Sequence, residues 1–251
     1  MIFLRCVCFF CFLIITSALQ ATEEIELMYV ERHGNPDVHD SRYFFAQIAE
    51  IVEAVFAVTG DDYMWQKFPV GRIVRAIEQD DHAACAVGWY RNEEREKIGK
   101  FTTTVAELQP MGAIARRDAG LKDYYEHITD LIFDTSMVGG TIKLSESTPS
   151  HTSALINQYG DNVSVLGFSV GTADLLRMVQ IGHIHYMLIS GDEADFYLSN
   201  PEWGSEIFQK IRFGNFTELV ELALFCTKTT PDDWIERFNA AFIETQKTST
   251  P

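Results

Sequence analysis

The amino-acid sequence predicts an α/β protein of two lobes, each a mostly parallel sheet flanked by helices. Short apolar runs of strand length alternate with segments in which apolar residues recur at helical spacing. This alternation restarts after Gln109-Pro110. No Gly/Ser-rich linker separates the two halves, so we expect them to pack as lobes joined by short crossovers.

The composition excludes some partners. The chain has 251 residues, with 20 Lys+Arg against 36 Asp+Glu and a formal net charge of -16. This length suits one large domain or two of ordinary size. Because an acidic surface repels phosphate backbones, we expect no nucleic-acid partner.

Residues 1–21 have the layout of a secretory signal peptide. Arg5 precedes an apolar run over 6–15, and small residues follow. The run is too short for a comfortable membrane span, although an uncleaved anchor is the alternative. We therefore expect cleavage after Ala18 or Ala21 and an exported, periplasmic product.

Cleavage would leave two of the five cysteines, Cys85 and Cys226. Two thiols in an oxidising compartment are a candidate disulfide. The alternative is a pair of buried free thiols, because unpaired cysteine packs as a small hydrophobe. The sequence leaves both open.

The first half predicts five elements. Ser41 is a plausible N-cap and Gly60 a helix stop. The predicted strands cover 26–30 and 83–90, and the predicted helices cover 41–59, 70–79 and 93–100.

The second half continues the alternation to a closing amphipathic helix with Pro231 at its first turn. The predicted strands cover 112–116, 141–144, 163–168, 185–189 and 219–226. The predicted helices cover 124–133, 150–159, 172–180, a segment from about 192, and 231–244.

Residues 167–171 read Gly-Phe-Ser-Val-Gly and match the nucleophile elbow of serine hydrolases. Such an enzyme needs an acid and then a histidine later in the chain, yet the last histidine is His185. Only Asp174 could serve as the acid between Ser169 and His183, and it falls on the helix that starts at the elbow. We therefore interpret the motif as a turn that opens the helix at 172, and we expect no catalytic residue.

Metal and nucleotide sites are not indicated. His183 and His185 would share one strand face, but no cysteine or carboxylate stands beside them at tight metal spacing. Neither a Walker loop nor a G-x-G-x-x-G fingerprint occurs. We expect no metal and no cofactor.

A more specific signal lies at the end of the strand over 83–90. A ligand-facing loop begins at such strand ends in open α/β sheets. Arg95 falls in the first turns of the next helix, where a guanidinium and free backbone N–H groups together would hold a carboxylate. The alternative is an ordinary solvated charge cluster over 93–97.

Several segments, taken in order, resemble extracytoplasmic solute-binding proteins of the polar amino-acid type that serve ABC transporters. The chain reads Asn-Glu-Glu-Arg over 92–95 and Phe-Thr over 101–102, and the similarity continues over 173–179 and 182–186. The closing strand and helix over 222–242 also fit, so the resemblance covers nearly the whole mature chain.

The resemblance implies a type II periplasmic-binding fold with a two-strand hinge. Lobe 1 would comprise residues 22–109 and 214–251, and lobe 2 residues 110–213. The crossovers near 109–110 and 213–215 would form the hinge, and the solute would bind between the lobes of a monomer.

The resemblance also implies a ligand set in which Arg95 pairs with a ligand carboxylate and Asp192, with Glu193 beside it, binds an ammonium group. The other implied positions are Gly88, Trp89 and Tyr90 before the arginine, Glu31 to His33 in the first loop, and Ser147, Thr148 and Ser150 in lobe 2. His183 and His185 stand where the family usually has Arg and Asp, Val87 lies where hydroxyls are common, and Pro149 interrupts the second-lobe loop. The ligand is therefore left open.

The expected function is non-catalytic capture of a small polar solute for a membrane permease. One alternative is a same-fold lyase of the dehydratase type, with Glu31, His33 and Asp192 or Glu193 as candidate proton-transfer groups. Another is a ligand-sensing partner of a membrane receptor.

Overall fold

The computed structural model describes residues 24–30, 39, 45–142, 162–166, 170–201, 203, 206–217 and 219–248. The expected signal peptide over 1–21 and the expected helix over 150–159 lie outside the described residues. Within these ranges, no helix combines the length and the apolar content that a membrane crossing needs.

The elements alternate along the chain as the sequence predicts. The strands are β1 Ile25–Val30, β2 Tyr63–Phe68, β3 Ala84–Trp89, β4 Lys100–Phe101, β5 Ala106–Leu108, β6 Met111–Arg116, β7 Tyr124–Tyr125, β8 Gly139–Ile142, β9 Val163–Leu166, β10 Tyr186–Ser190, β11 Phe208–Phe213 and β12 Val220–Cys226. The helices are α1 Phe45–Thr59, α2 Val70–Gln79, α3 Glu93–Ile98, α4 Thr129–Ile132, α5 Thr172–Gln180, α6 Gly191–Ser199 and α7 Asp232–Thr248.

The strands form two sheets with related topologies. The first has the order β2-β1-β3-β12-β4, with β5 also paired to β12, and the second has the order β7-β11-β6-β10-β8-β9. β1 lies parallel to β2 and β3, and β8 lies parallel to β9 and β10. Each sheet thus contains the same three-strand parallel unit.

The chain passes between the two sheets twice, from β5 to β6 and from β11 to β12. β12 runs antiparallel to β3, and β6 runs antiparallel to β10. Each sheet is therefore mixed, because the strand that has crossed from the other sheet runs against its new neighbours. The predicted two-lobed α/β fold with a two-strand connection is confirmed, with more antiparallel pairing than the sequence indicated.

Helices cover both faces of the first sheet. On one face, Leu27 and Cys85 pack with Phe56 of α1 and Phe238 of α7. On the other, Met28 and Phe225 pack with residues of α2 such as Ile73. Strands buried on both faces need apolar side chains throughout, which explains the apolar run that predicted β3.

Cys85 and Cys226 are disulfide-bonded across the β3–β12 pair. Both side chains are buried. The bond therefore joins a strand of the first parallel unit to the strand that has returned from the second sheet.

Residues 124–133 are not the single helix that the sequence predicts. They form β7, which pairs with β11, and then the single turn of α4. Strands β2, β4, β5 and β11 were not predicted at all.

Candidate functional site

The topology marks one edge of each sheet as the place for a ligand. In open α/β sheets, ligands bind beyond the carboxyl ends of the strands, where neighbouring connections leave in opposite directions. In the first sheet this point lies between β1 and β3, and in the second between β8 and β10. Of the segments that follow these strands, those after β3 and β10 lie within the described residues and form the candidate site.

The segment after β3 turns sharply at Gly88. This glycine has φ +76°, in the left-handed region that favours glycine. A Cβ there would lie 3.1 Å from Cε2 of Phe45, the first residue of α1. The turn brings Trp89 and Tyr90 to the edge of the sheet, ahead of α3.

Helix α3 is fixed at its start by Asn92, whose side-chain oxygen accepts a 2.9 Å hydrogen bond from the backbone N–H of Arg95. This N-cap sets the first turn of the helix and thereby the position of Arg95. The capping role explains the asparagine of the Asn-Glu-Glu-Arg sequence.

Arg95 is buried among aromatic rings and is not part of a solvated charge cluster. Only 5% of the residue is exposed to solvent. The guanidinium carbon lies 4.3 Å from the ring centroid of Trp89 and 4.6 Å from that of Tyr90. One guanidinium nitrogen donates a 2.6 Å hydrogen bond to the carbonyl oxygen of Tyr90.

The charge of Arg95 persists at neutral pH. Burial lowers the pKa of its guanidinium to about 10, against the opposing effect of Tyr90. The two rings lie over the guanidinium, and its N–H donors are the groups that a ligand carboxylate would meet.

The edge of the second sheet contains the starts of α5 and α6. Ser190 caps α6 by accepting a 3.3 Å hydrogen bond from the backbone N–H of Glu193. Glu193 Oε1 in turn accepts a 2.6 Å hydrogen bond from the hydroxyl of Thr172, at the start of α5. The two helix starts are thereby joined.

Asp192 is engaged with the first crossing between the sheets. One carboxylate oxygen accepts a hydrogen bond from the backbone N–H of Gln109, and the other accepts a 2.9 Å bond from the side-chain amide of Gln109. Of the two acids named from the sequence, Glu193 therefore has more acceptor capacity left for a ligand cation.

Several residues named from the sequence lie outside the described residues. They are Glu31, His33, Ser147, Thr148, Ser150 and the elbow serine, Ser169. Of the named set, the structure brings together Gly88, Trp89, Tyr90 and Arg95 at one edge, and Asp192 with Glu193 at the other.

The remaining motifs have structural partners. Asp174 accepts a 3.1 Å hydrogen bond from the backbone N–H of Gly171, so it fixes the start of α5. Nδ1 of His185 accepts a 2.9 Å hydrogen bond from the backbone N–H of Val138. Across the described ranges, no group of three or more His, Cys, Asp or Glu residues could hold a metal ion.

Sequence reasoning missed a second cation at the edge of the first sheet. Phe68 ends β2, and the guanidinium carbon of Arg72 in α2 lies 4.4 Å from its ring centroid. The sequence signal for this pair is an aromatic residue at a strand end, Phe68, followed by Pro69 and by an arginine four residues after the aromatic residue.

The two sheets, their double crossing and the polar groups at the strand ends define a two-lobed periplasmic-binding-protein-like fold. No family model matches the sequence, and no curated protein matches it either.

Solved structures share this fold across nearly their whole length. An ancestral arginine-binding protein bound to arginine is similar with a TM-score of 0.65 and 16% identity, over 91% of this chain and 95% of that one. The arginine-, lysine-, histidine-binding protein ArtJ of Geobacillus stearothermophilus is similar with a TM-score of 0.67 and 11% identity, over 90% of each chain.

A third similar structure is a histidine kinase sensor domain with similarity to periplasmic binding proteins. Its TM-score is 0.64 at 14% identity, over 90% of this chain and 92% of that one. At these identities the similarity shows the fold, and the solute of this chain has to be argued from its own residues.

Proposed function

We propose that this chain is an exported solute-binding protein that captures a small polar, carboxylate-bearing solute between its two lobes and passes it to an ABC-type permease. The observation that carries the proposal is Arg95, a buried guanidinium at the carboxyl edge of the first parallel unit. A fixed, charged fork at that edge is suited to a carboxylate.

The surrounding groups support the same function. Trp89 and Tyr90 hold the guanidinium by stacking, so the cation is preorganised and a ligand need not order it. Arginine-binding proteins with this fold add support, since they bind an amino acid. In this proposal Glu193, joined to Thr172, contributes the acid of the second lobe.

The test is a thermal-shift screen of the mature protein with 1 mM each of the twenty amino acids, glutathione and a set of dicarboxylates. A solute at about 100 times its Kd stabilises the folded state by about 2.7 kcal/mol, which corresponds to about 5–10 °C in Tm for a chain of this size. Failure of every solute to raise Tm would contradict the proposal.

A variant pair then tests the site. Arg95→Gln removes the buried charge and should reduce the affinity for the solute found at least about tenfold. Arg91→Gln is the matched control, because Arg91 is exposed and its guanidinium binds Glu96 and the carbonyl oxygen of Thr102. Equal solute affinities of the two variants would show that Arg95 does not bind the solute.

The histidine kinase sensor domain of the same fold favours a second candidate, a ligand-sensing partner of a membrane receptor. Deleting the gene separates the two functions. Loss of solute uptake supports the permease partner, whereas unchanged uptake with a lost transcriptional response supports the receptor.

A further inference from the structure

We propose that Asp192 is a hinge-positioning residue: together with Lys210 it fastens the start of α6 to both strands that connect the lobes. The proposal extends the solute-capture function by naming the residues that set the relative positions of the lobes. We call Gln109, Gly191, Asp192, Asp195 and Lys210 the hinge cluster.

The first half of the hinge cluster holds the first crossing. Gln109 lies between β5 and β6, and both its backbone N–H and its side-chain amide donate to Asp192. Its side-chain amide also lies 3.3 Å from a carboxylate oxygen of Asp195. In the other direction, the backbone N–H of Gly191 donates a 3.0 Å hydrogen bond to the carbonyl of Pro110.

The second half reaches the other connecting strand. Lys210 lies on β11, which leads into the second crossing. Its ammonium group donates to the carbonyl of Gly191 at 3.0 Å, to Asp195 at 2.8 Å and to the side-chain oxygen of Gln109 at 3.2 Å. One lysine therefore links both crossings to the same helix start.

The packing at Gly191 shows how close this approach is. A Cβ on Gly191 would lie 2.6 Å from Cβ of Gln109. No other residue fits without moving the crossing, so the glycine is explained by the hinge cluster and not by a ligand.

The position of the hinge cluster in the fold gives it a function. Ser190 to Glu193 lie at the carboxyl end of β10, which is the candidate solute edge of the second sheet. A displacement of the start of α6 on solute binding would move Gln109, which is hydrogen-bonded to Asp192. It would also move β11, because Lys210 on that strand is hydrogen-bonded to Gly191. Asp192 thereby connects the solute edge to the opening of the lobes and need not contact solute.

The experiment follows the backbone amide of Gln109 by hydrogen exchange, using NMR of the ¹⁵N-labelled mature protein without solute. Asp192→Asn replaces an acceptor oxygen with an amide donor at constant size, and it should speed exchange of that amide at least about tenfold. Lys210→Met is the second variant. We expect a smaller acceleration of about threefold, because Lys210 contacts the side chain of Gln109 and not its backbone amide. Asp123→Asn, an exposed charge loss in the same lobe, should leave the exchange unchanged.

A distance measurement gives the second readout. Spin labels on Glu236→Cys in α7 and Asp130→Cys in α4 report the separation of the lobes. We expect Asp192→Asn and Lys210→Met to broaden the distribution of distances. Wild-type exchange of the Gln109 amide in Asp192→Asn, or an unchanged distribution in both variants, would overturn the proposal.

Both readouts are independent of solute. A negative solute screen would therefore refute the proposed function and leave the hinge proposal unaffected. Wild-type behaviour of the hinge variants would refute the hinge proposal and leave the proposed function unaffected.

Discussion

Cys85 on β3 is bonded to Cys226 on β12, and the two residues are 141 positions apart in the sequence. The bond closes a loop that contains the whole second sheet. In the chain-entropy account, cross-linking a long loop stabilises the native state mainly by restricting the unfolded chain.

Removing this bond should lower stability substantially. Cys85→Ala/Cys226→Ala is expected to reduce the free energy of unfolding by about 2–4 kcal/mol, measured by urea denaturation. Reductant should lower the unfolding free energy of the wild-type protein toward that of the double variant and leave that of the variant unchanged. Identical denaturation curves for the oxidised wild type and the variant would contradict this account.

Arg95 should be sensitive to replacement even by another cation. Arg95→Lys keeps a positive charge but loses the planar group that stacks on Trp89 and Tyr90, so we expect a loss of about 1–3 kcal/mol in unfolding free energy. Arg75→Lys, at an exposed position of α2, should cost under about 1 kcal/mol. Equal losses for the two variants would show that the stacking is not specific.

Asp80 should give a pH-dependent contribution. It ends α2 in the left-handed conformation, and its carboxylate accepts a 2.6 Å hydrogen bond from the backbone N–H of Thr229, which lowers the pKa of Asp80. A carboxylate with a lowered pKa stabilises the folded state when the pH is above the ordinary aspartate pKa of about 3.9. This stabilisation is lost as the pH falls through the pKa of the folded state.

Asp80→Asn should therefore reduce the unfolding free energy at pH 7 by under about 1 kcal/mol, because the residue is only partly buried and solvent screens the carboxylate. The difference from wild type should shrink as the pH is lowered below about 4, measured by urea denaturation at both pH values. The exposed neighbour Asp81 supplies the control, Asp81→Asn. A difference that persists undiminished at low pH would disprove the charge effect.

Two glycines should respond to alanine in opposite directions. At Gly99 a Cβ would lie 2.6 Å from Cε2 of Phe225, whereas at Gly71 in α2 no atom lies within 4 Å. Gly99→Ala should cost about 1–3 kcal/mol through overpacking. Gly71→Ala should raise stability by about 0.5–1 kcal/mol, because alanine favours the helix. Thermal denaturation compares the pair, and a loss of stability in Gly71→Ala would contradict the helix argument.

The sequence predicted those elements whose apolar residues face a core. Helices α2 and α5 begin and end at the expected residues, because their buried positions recur at helical spacing. Strand β3 was predicted from its unbroken apolar run. These segments carry their structural signal locally.

The missed strands carry no such signal. β2, Tyr-Met-Trp-Gln-Lys-Phe, is a half-exposed edge strand, and β11 carries Lys210 and Arg212 between its apolar residues. Residues 124–133 have helical spacing, but Tyr124 pairs with Arg212 of β11, and this long-range contact decides the outcome.

The sequence indicates where Arg95 and Asp192 lie relative to the strand ends, but it does not indicate their contacts. The position of Arg95 was predicted from a strand end and the first turns of the next helix, whereas its burial between aromatic rings was not. The link from Asp192 to Gln109 joins residues far apart in the sequence, and no spacing rule reveals it. Asp192, to which the resemblance assigned a ligand ammonium group, also binds the crossing strand through Gln109.

The return of β12 to the first sheet has a consequence for the order in which the protein can mature. β3 lacks its antiparallel neighbour until the chain has been made as far as residue 226. An N-terminal fragment without β12 would present an open strand edge on β3, so the first lobe should complete its folding only after the second lobe has been made. The sheet whose first strand is made earliest is thus the one completed last, and α7 has still to cover it after the disulfide partner has arrived.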